Sequence, residues 1–145
     1  MIAFLPASAL AASALGIALI ISPASAETIA YTAELSGKSE VPPNDSGGTG
    51  SVQANYDTES KMLTWTITYS NLTGDATAAH FHGPAAAGAN AGPAVPIEGS
   101  LASPIEGSAT LTDAQAADLD AGMGYFNVHT AQYPDGELRG QLAKQ

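Results

Sequence analysis

The sequence predicts an all-β protein, an antiparallel β-sandwich or Greek-key barrel with one short helix. Three observations lead to this fold class. Apolar and polar residues alternate with a period of two through most of the chain after residue 27, as in half-buried strands. Turn-forming runs such as Gly83-Pro84 and residues 133–136 separate these stretches. Only one segment, which starts at Thr112, carries a helix-start signal. Many short strands with regular turns and little helix are typical of sandwiches and barrels.

The strand candidates share this alternation and are bounded by turn residues. In chain order they are residues 28–35, 51–56, 62–70, 77–82, 94–98, 108–111, 125–130 and 137–142. Residues 37–50 contain Pro42, Pro43 and several glycines, which predicts a loop. The helix is predicted from the capping box that Thr112 and Gln115 form, with Gly122 placed to end it.

A pentapeptide occurs twice in the second half of the chain. Residues 96–100 have the sequence Pro-Ile-Glu-Gly-Ser, and residues 104–108 repeat it. The unit is far shorter than the roughly 20 to 50 residues of a repeat architecture. We therefore interpret it as a local duplication across a hairpin or loop.

Residues 1–26 resemble an export signal. An uncharged apolar stretch from Leu10 to Ile21 is followed by Pro23 and by the small-residue site Ala24-Ser25-Ala26. A membrane-spanning helix is the rival interpretation, but the apolar stretch is shorter than the roughly 20 residues that a bilayer requires. We expect cleavage after Ala26, a single domain over residues 27–145, and a periplasmic or secreted location without a membrane anchor.

Composition excludes several function classes. The chain has 14 acidic and 4 basic residues and a formal net charge of −10. Nucleic acids and anionic lipids are bound by clustered Lys and Arg, so neither is an expected partner. The chain has no cysteine, which excludes disulfides, iron–sulfur clusters and thiolate metal sites. Any metal must be held by histidine, carboxylate or backbone oxygen.

All three histidines lie in two predicted strands. Side chains two residues apart in a strand point to the same face, so His80 and His82 are neighbours there. His129 lies on the polar face of its own strand, opposite Phe126 and Val128. The three imidazoles together predict a metal site, and imidazole without thiolate suits copper or zinc, with Cu(II) bound most tightly. Such a site needs neutral imidazoles and should fail below about pH 6.5. The alternatives are structural hydrogen bonding and ordinary surface positions.

A hairpin of residues 125–142 would bring further polar side chains to this site. Simple register places His129 opposite Glu137, Asn127 opposite Arg139 and Tyr125 opposite Gln141. We expect Glu137 to accept a hydrogen bond from the non-ligating nitrogen of His129, so that Glu137→Gln weakens metal binding by about 10–100-fold and leaves the fold intact. A surface charge pair between Glu137 and Arg139 is the alternative. On this pattern Tyr125, Asn127, His129, Glu137 and Arg139 face outward, whereas Phe126, Val128, Leu138 and Leu142 face the core.

The order of motifs resembles a CHRD domain, the module named for its occurrence in chordin. The resemblance rests on four segments, residues 40–43 (EVPP), 79–85 (AHFHGPA), 124–130 (GYFNVHT) and 134–142 (PDGELRGQL). It implies an extracellular-type domain but no established activity for a stand-alone member.

Two functions from different classes follow as hypotheses. The first is an exported domain that binds copper or zinc through His80, His82 and His129. The second is a non-catalytic adhesion or interaction module, in which the histidines are structural and the loops meet an unidentified protein partner. An enzyme such as a copper-dependent oxidoreductase ranks third, because the sequence shows no feature of redox turnover.

Overall fold

The computed structural model describes residues 25–145. The predicted export signal therefore lies, except for its last two residues, outside the described part of the chain. Within residues 25–145 no helix is both long and apolar enough to cross a membrane.

Residues 25–145 form nine strands and one α-helix. The strands are β1 (Thr28–Ser36), β2 (Thr49–Asp57), β3 (Met62–Ser70), β4 (Ala76–His82), β5 (Pro93–Pro96), β6 (Ile105–Thr110), β7 (Tyr125–Thr130), β8 (Leu138–Gln141) and β9 (Ala143–Lys144). The helix α1 spans Asp113–Asp120, and a 3-10 turn covers Gly37–Ser39. As predicted, Thr112 and Gln115 form a reciprocal capping box at the start of α1. The chain leaves the helix through Gly122 at a φ of 73°.

All the strands belong to one antiparallel sheet, which curls into a nearly closed barrel. The strand order is β5-β4-β7-β8-β1-β2-β3-β6. The short strand β9 is not part of this order and pairs with β1. The predicted all-β antiparallel class is confirmed, and a single continuous sheet makes the barrel form the appropriate description. The barrel is open where β5 and β6, the two ends of the path, fail to pair.

The apolar face of each strand lines the barrel interior. In β3, Leu63, Trp65 and Ile67 are buried and alternate with exposed residues. In the C-terminal hairpin the four residues expected in the core are all buried, namely Phe126, Val128, Leu138 and Leu142. The core predicted from alternation is therefore confirmed.

The polar face of the C-terminal hairpin is also buried, which corrects the expectation that it faces solvent. Tyr125, Asn127, Glu137 and Arg139 are each 3 % exposed or less. Loops 37–48, 83–93 and 131–136 contribute groups that contact this face, as the hydrogen bonds described below show. Period-two alternation fixes which residues share a face of a sheet, but it does not determine whether loops cover that face.

Candidate metal site

The three histidines come together on the loop-covered face of β4 and β7. The register pairs His80 with Asn127, His82 with Tyr125 and Ala78 with His129. His129 is therefore the diagonal neighbour of His80, close enough for long side chains to meet. His80 Nδ1 and His129 Nε2 are 3.2 Å apart. One nitrogen from each of the three rings lies within 4.8 Å of the others.

These distances are close to what a transition-metal ion requires. With metal–nitrogen bonds of about 2.1 Å, tetrahedral ligands lie about 3.4 Å apart, near the His80–His129 separation. Two such nitrogens can be about 4.2 Å apart only on opposite sides of the ion. A pair at 4.8 Å would therefore have to close by at least about 0.6 Å, and by about 1.4 Å around a tetrahedral ion.

Two backbone carbonyls fix the orientation of two of the rings. His82 Nδ1 is 2.9 Å from the carbonyl oxygen of Ala91, and His129 Nδ1 is 2.9 Å from that of Pro134. A carbonyl oxygen can only accept, so each Nδ1 carries the proton and donates it. In the neutral rings the lone pairs are then on Nε2, which is the arrangement that usually orients histidine ligands.

Both lone pairs point at the same side-chain amide. Asn127 Oδ1 lies 2.9 Å from His82 Nε2 and 3.0 Å from His129 Nε2. Asn127 Nδ2 points the other way and donates to Glu40 Oε1 at 3.4 Å. Each Nε2 thus faces an amide oxygen that is also an acceptor, an unfavourable contact that a cation between them would relieve. His80 Nδ1, 3.2 Å from His129 Nε2, can in addition donate a hydrogen bond to that nitrogen in the metal-free protein. Reversing the amide would satisfy both rings, but it would set Oδ1 against Glu40, which would then have to be protonated.

Burial shifts the pKa of the titratable groups in this cluster. Burial lowers the pKa of His82 below its ordinary value. Burial, and next the positive charge that His129 and His82 can carry, lower the pKa of His80. Both shifts favour the neutral imidazoles that a metal requires. Burial raises the pKa of Glu40, and this effect is larger than the lowering caused by the hydrogen bond from Asn127.

Tyr125 and Arg139 supply no ligand atom but support the site by packing beside His82. The Tyr125 ring stacks on His82 with centroids 4.7 Å apart and an interplanar angle of 4°. The Arg139 guanidinium carbon lies 3.5 Å from the Tyr125 centroid, a cation–π contact. Arg139 also donates to the Ala89 carbonyl and, at 2.8 Å, to Asn90 Oδ1. This stack holds loop 83–93, and with it the Ala91 carbonyl, against the sheet.

Glu137 does not contact His129, so the expected hydrogen bond between them is wrong. Its carboxylate is fully buried and accepts four hydrogen bonds: from Ser46 Oγ at 2.6 Å, Thr73 N at 2.9 Å, Thr73 Oγ1 at 2.8 Å and Thr130 Oγ1 at 2.6 Å. The expected register around it is correct, because Asn127 pairs with Arg139 and Tyr125 with Gln141. Glu137 instead connects β7 and β8 to the loops before β2 and β4.

Sequence reasoning gave no role to Glu40, which the structure places behind Asn127. The residue was visible in the motif of residues 40–43, but nothing in its local pattern shows that the loop returns to β7. Gly136 gives a further sign of this contact. A Cβ there would lie 2.1 Å from Glu40 Oε1, and the residue has a φ of 133°, so only glycine fits.

The fold and the cluster define an all-β domain with a partly buried histidine site beneath its loops. A family model, described as CHRD domain, matches residues 31–142. The chain belongs to the CHRD domain family, as its motifs indicated. No curated protein and no solved structure matches the chain.

Proposed function

We propose that this CHRD domain is exported and binds one transition-metal ion, copper or zinc, through His80, His82 and His129. The observation that carries the proposal is the convergence of lone pairs. The carbonyls of Ala91 and Pro134 orient two Nε2 atoms toward each other, with Asn127 Oδ1 between them. A bound cation would turn this repulsion into coordination.

The donor set suits a borderline metal ion. Three neutral imidazoles without thiolate are typical of Cu(II) and Zn(II), and Cu(II) is first in the general order of affinity. The Asn127 oxygen would be a further ligand, and Glu40, which contacts its amide, would add a negative charge when ionised. His80 and His129 keep partial exposure, which supports exchange of the ion with solvent.

Isothermal titration of the purified protein with Cu(II) and with Zn(II) tests the proposal. We expect one ion per chain with a Kd below about 10 μM, which corresponds to about −7 kcal/mol. The double variant His80→Ala/His82→Ala should lose this binding. Gln132→Ala, an exposed change in the adjoining loop, is the control and should bind as the wild type does. Weaker binding than this, or binding that survives the double variant, would refute the proposal.

Export is tested separately, because the metal site does not depend on it. The protein recovered from its native compartment should begin at Glu27 when its N terminus is sequenced. A chain that retains residues 1–26 and stays in the cytoplasm would contradict export.

A second candidate function is a non-catalytic interaction module. The observation that favours it is that His82 and His129 already hydrogen-bond to loop carbonyls, so both could serve only to hold loops 83–93 and 131–136 in place. On this alternative His129→Ala lowers the melting temperature, and metal or chelator has no effect on it. A ligand that binds only the folded state raises stability, by about 2.7 kcal/mol at 100 times its Kd. A chelator-sensitive melting temperature would therefore decide for metal binding.

A further inference from the structure

The open side of the barrel forms a groove that no histidine lines. Strands β5 and β6 are the two ends of the strand order and do not pair with each other. Between them lies a groove of about 320 Å³. Its lining comes from β5 and its continuation, from β6 and from one β3 side chain, and it includes Trp65, Pro96, Glu98, Glu106, Gly107 and Ser108.

One bank of the groove is an unpaired strand edge. Leu111 donates its backbone N–H to Lys61 at 2.8 Å, which sets the alternation of hydrogen bonds between β6 and β3. In an antiparallel pair every second residue bonds to the partner. Gly107 therefore directs its backbone groups to β3, and Glu106 and Ser108 direct theirs into the groove. The other bank cannot offer the same edge, since β5 begins and ends with proline.

The floor of the groove contains a buried donor without an acceptor. Trp65 is 8 % exposed, and its Nε1–H has no hydrogen-bond partner among residues 25–145. The indole lies against Gly107, where a Cβ would be 2.8 Å from Trp65 Cζ2. Because residue 107 has no side chain, the Trp65 ring can lie beside the opening between β5 and β6. An unsatisfied buried donor costs about 1–3 kcal/mol. Because Nε1 itself exposes less than 1 Å², a ligand in the groove would supply an acceptor only by drawing the indole toward this opening, and that acceptor would be stabilising.

The duplicated pentapeptide gives the groove its charge. Glu98 belongs to the first copy and Glu106 to the second, and both are exposed and line the groove, one from the β5 side and one from β6. None of the chain's four basic residues lines the groove. The two banks therefore present equivalent carboxylates that complement a positively charged ligand.

We propose that this groove binds an extended, basic segment of a partner protein as an added strand along β6. The segment would exchange backbone hydrogen bonds with Glu106 and Ser108, place Lys or Arg side chains near Glu98 and Glu106, and offer an acceptor to Trp65. Strand addition of this kind derives its affinity from main-chain bonds and its specificity from side chains. The site is independent of the proposed metal site.

Fluorescence titration can test this directly, because Trp65 is the only tryptophan of the chain. The probes are two pools of peptides of about ten residues, long enough to pair with the six residues of β6. One pool has Lys at alternate positions with randomised Thr, Val and Ile between, and the other has Glu in place of Lys. A chelator is present, so that the result does not depend on metal binding. We expect the lysine pool alone to shift the Trp65 emission.

Variants of β6 distinguish strand addition from other binding. Ser108→Pro removes the outward N–H without touching the bonds to β3, and it should weaken binding at least tenfold. Ser108→Ala keeps that N–H and should bind as the wild type does. Glu98→Gln with Glu106→Gln leaves the edge intact and should weaken binding by about threefold to tenfold, because exposed charge pairs contribute little each.

Several outcomes would overturn the proposal. They are equal binding of the two pools, no binding of either, or unchanged binding by Ser108→Pro and the double glutamine variant. An emission shift produced by neutral oligosaccharides but not by peptides would make the groove a saccharide site instead. Dimerisation that Ser108→Pro abolishes would show that a second copy of the chain occupies the edge.

Discussion

Glu137→Gln should destabilise the fold, because the Glu137 carboxylate connects the C-terminal hairpin to two loops. The carboxylate is fully buried and accepts four hydrogen bonds from Ser46, Thr73 and Thr130. Ser46 and Thr73, which are remote in sequence, donate three of these bonds, and Thr130 of the same hairpin donates the fourth. Glutamine has the same shape and removes only the charge and one acceptor atom.

The magnitude follows from the number of charge-assisted bonds. A hydrogen bond to a charged group contributes about 1.5–3 kcal/mol, against about 0.5–1.5 kcal/mol for a neutral one. The glutamine amide group can still bond to the Thr73 and Thr130 hydroxyls if they rotate to accept, so most of the loss is charge assistance. Allowing for the relieved cost of burying a charge, we expect a loss of about 2–3 kcal/mol. This is a large fraction of the roughly 5–15 kcal/mol that stabilises a domain.

Urea denaturation at neutral pH measures this loss. The midpoint should fall without a change in slope, and the melting temperature should fall by about 8–12 °C. Glu34→Gln makes the same change at an exposed position of β1 and should stay within about 0.5 kcal/mol of wild type. Metal affinity should not change, in contrast to the 10–100-fold effect expected had Glu137 oriented His129. A Glu137→Gln variant as stable as Glu34→Gln would refute this reasoning.

The same variant has a pH signature. Burial alone would raise the pKa of Glu137, but the hydrogen bonds from Ser46, Thr130 and Thr73 outweigh it and lower the pKa below its ordinary value. The folded state then binds fewer protons than the unfolded state. The carboxylate's contribution is complete above the ordinary pKa of 4.5 and is lost as the pH falls through the lowered folded value. The stability difference between wild type and Glu137→Gln should therefore shrink in acid.

Three further predictions concern other parts of the domain. Because the pKa values of His80 and His82 are lowered, the unfolded state binds more protons than the folded state below pH 6.5. Urea titrations of the metal-free protein should therefore show that stability decreases as the pH is lowered below 6.5. Metal binding should persist below pH 6.5, because the folded-state imidazoles stay neutral there. Truncation after Tyr133 removes β8 and interrupts the sheet between β7 and β1, so thermal scans by circular dichroism should show no cooperative transition. Gly107→Ala places a Cβ 2.8 Å from the Trp65 ring; it should cost about 1–3 kcal/mol and change the Trp65 emission, and an unchanged spectrum and midpoint would contradict this packing.

The metal and strand-addition proposals fail separately. Loss of copper and zinc binding would leave the groove between β5 and β6 intact, because neither bank contains a histidine. Failure of the lysine peptides to bind would likewise leave the cluster of His80, His82 and His129 unaffected, because none of these residues lines the groove.

The sequence by itself determined most of the strands, the faces of their side chains and the register of the C-terminal hairpin. Period-two alternation placed Leu63, Trp65 and Ile67 on one side of β3, because side-chain direction in a strand is a local property of the backbone. The turn before β8 likewise predicted the pairing of Asn127 with Arg139. The neighbourhood of His80 and His82 needed only their spacing of two.

Tertiary structure decided the environment of those faces. The cover over Tyr125 and Arg139, the contact of Glu40 with Asn127 and the four bonds to Glu137 come from loops, whose paths no short pattern specifies. Glu40 and Asn127 are 87 residues apart, Ser46 and Glu137 are 91 apart, and Asn90 and Arg139 are 49 apart. A buried carboxylate and an exposed one have the same local sequence pattern. They differ only in whether donors arrive from elsewhere in the chain to compensate the cost of burial, and that is a property of the whole fold.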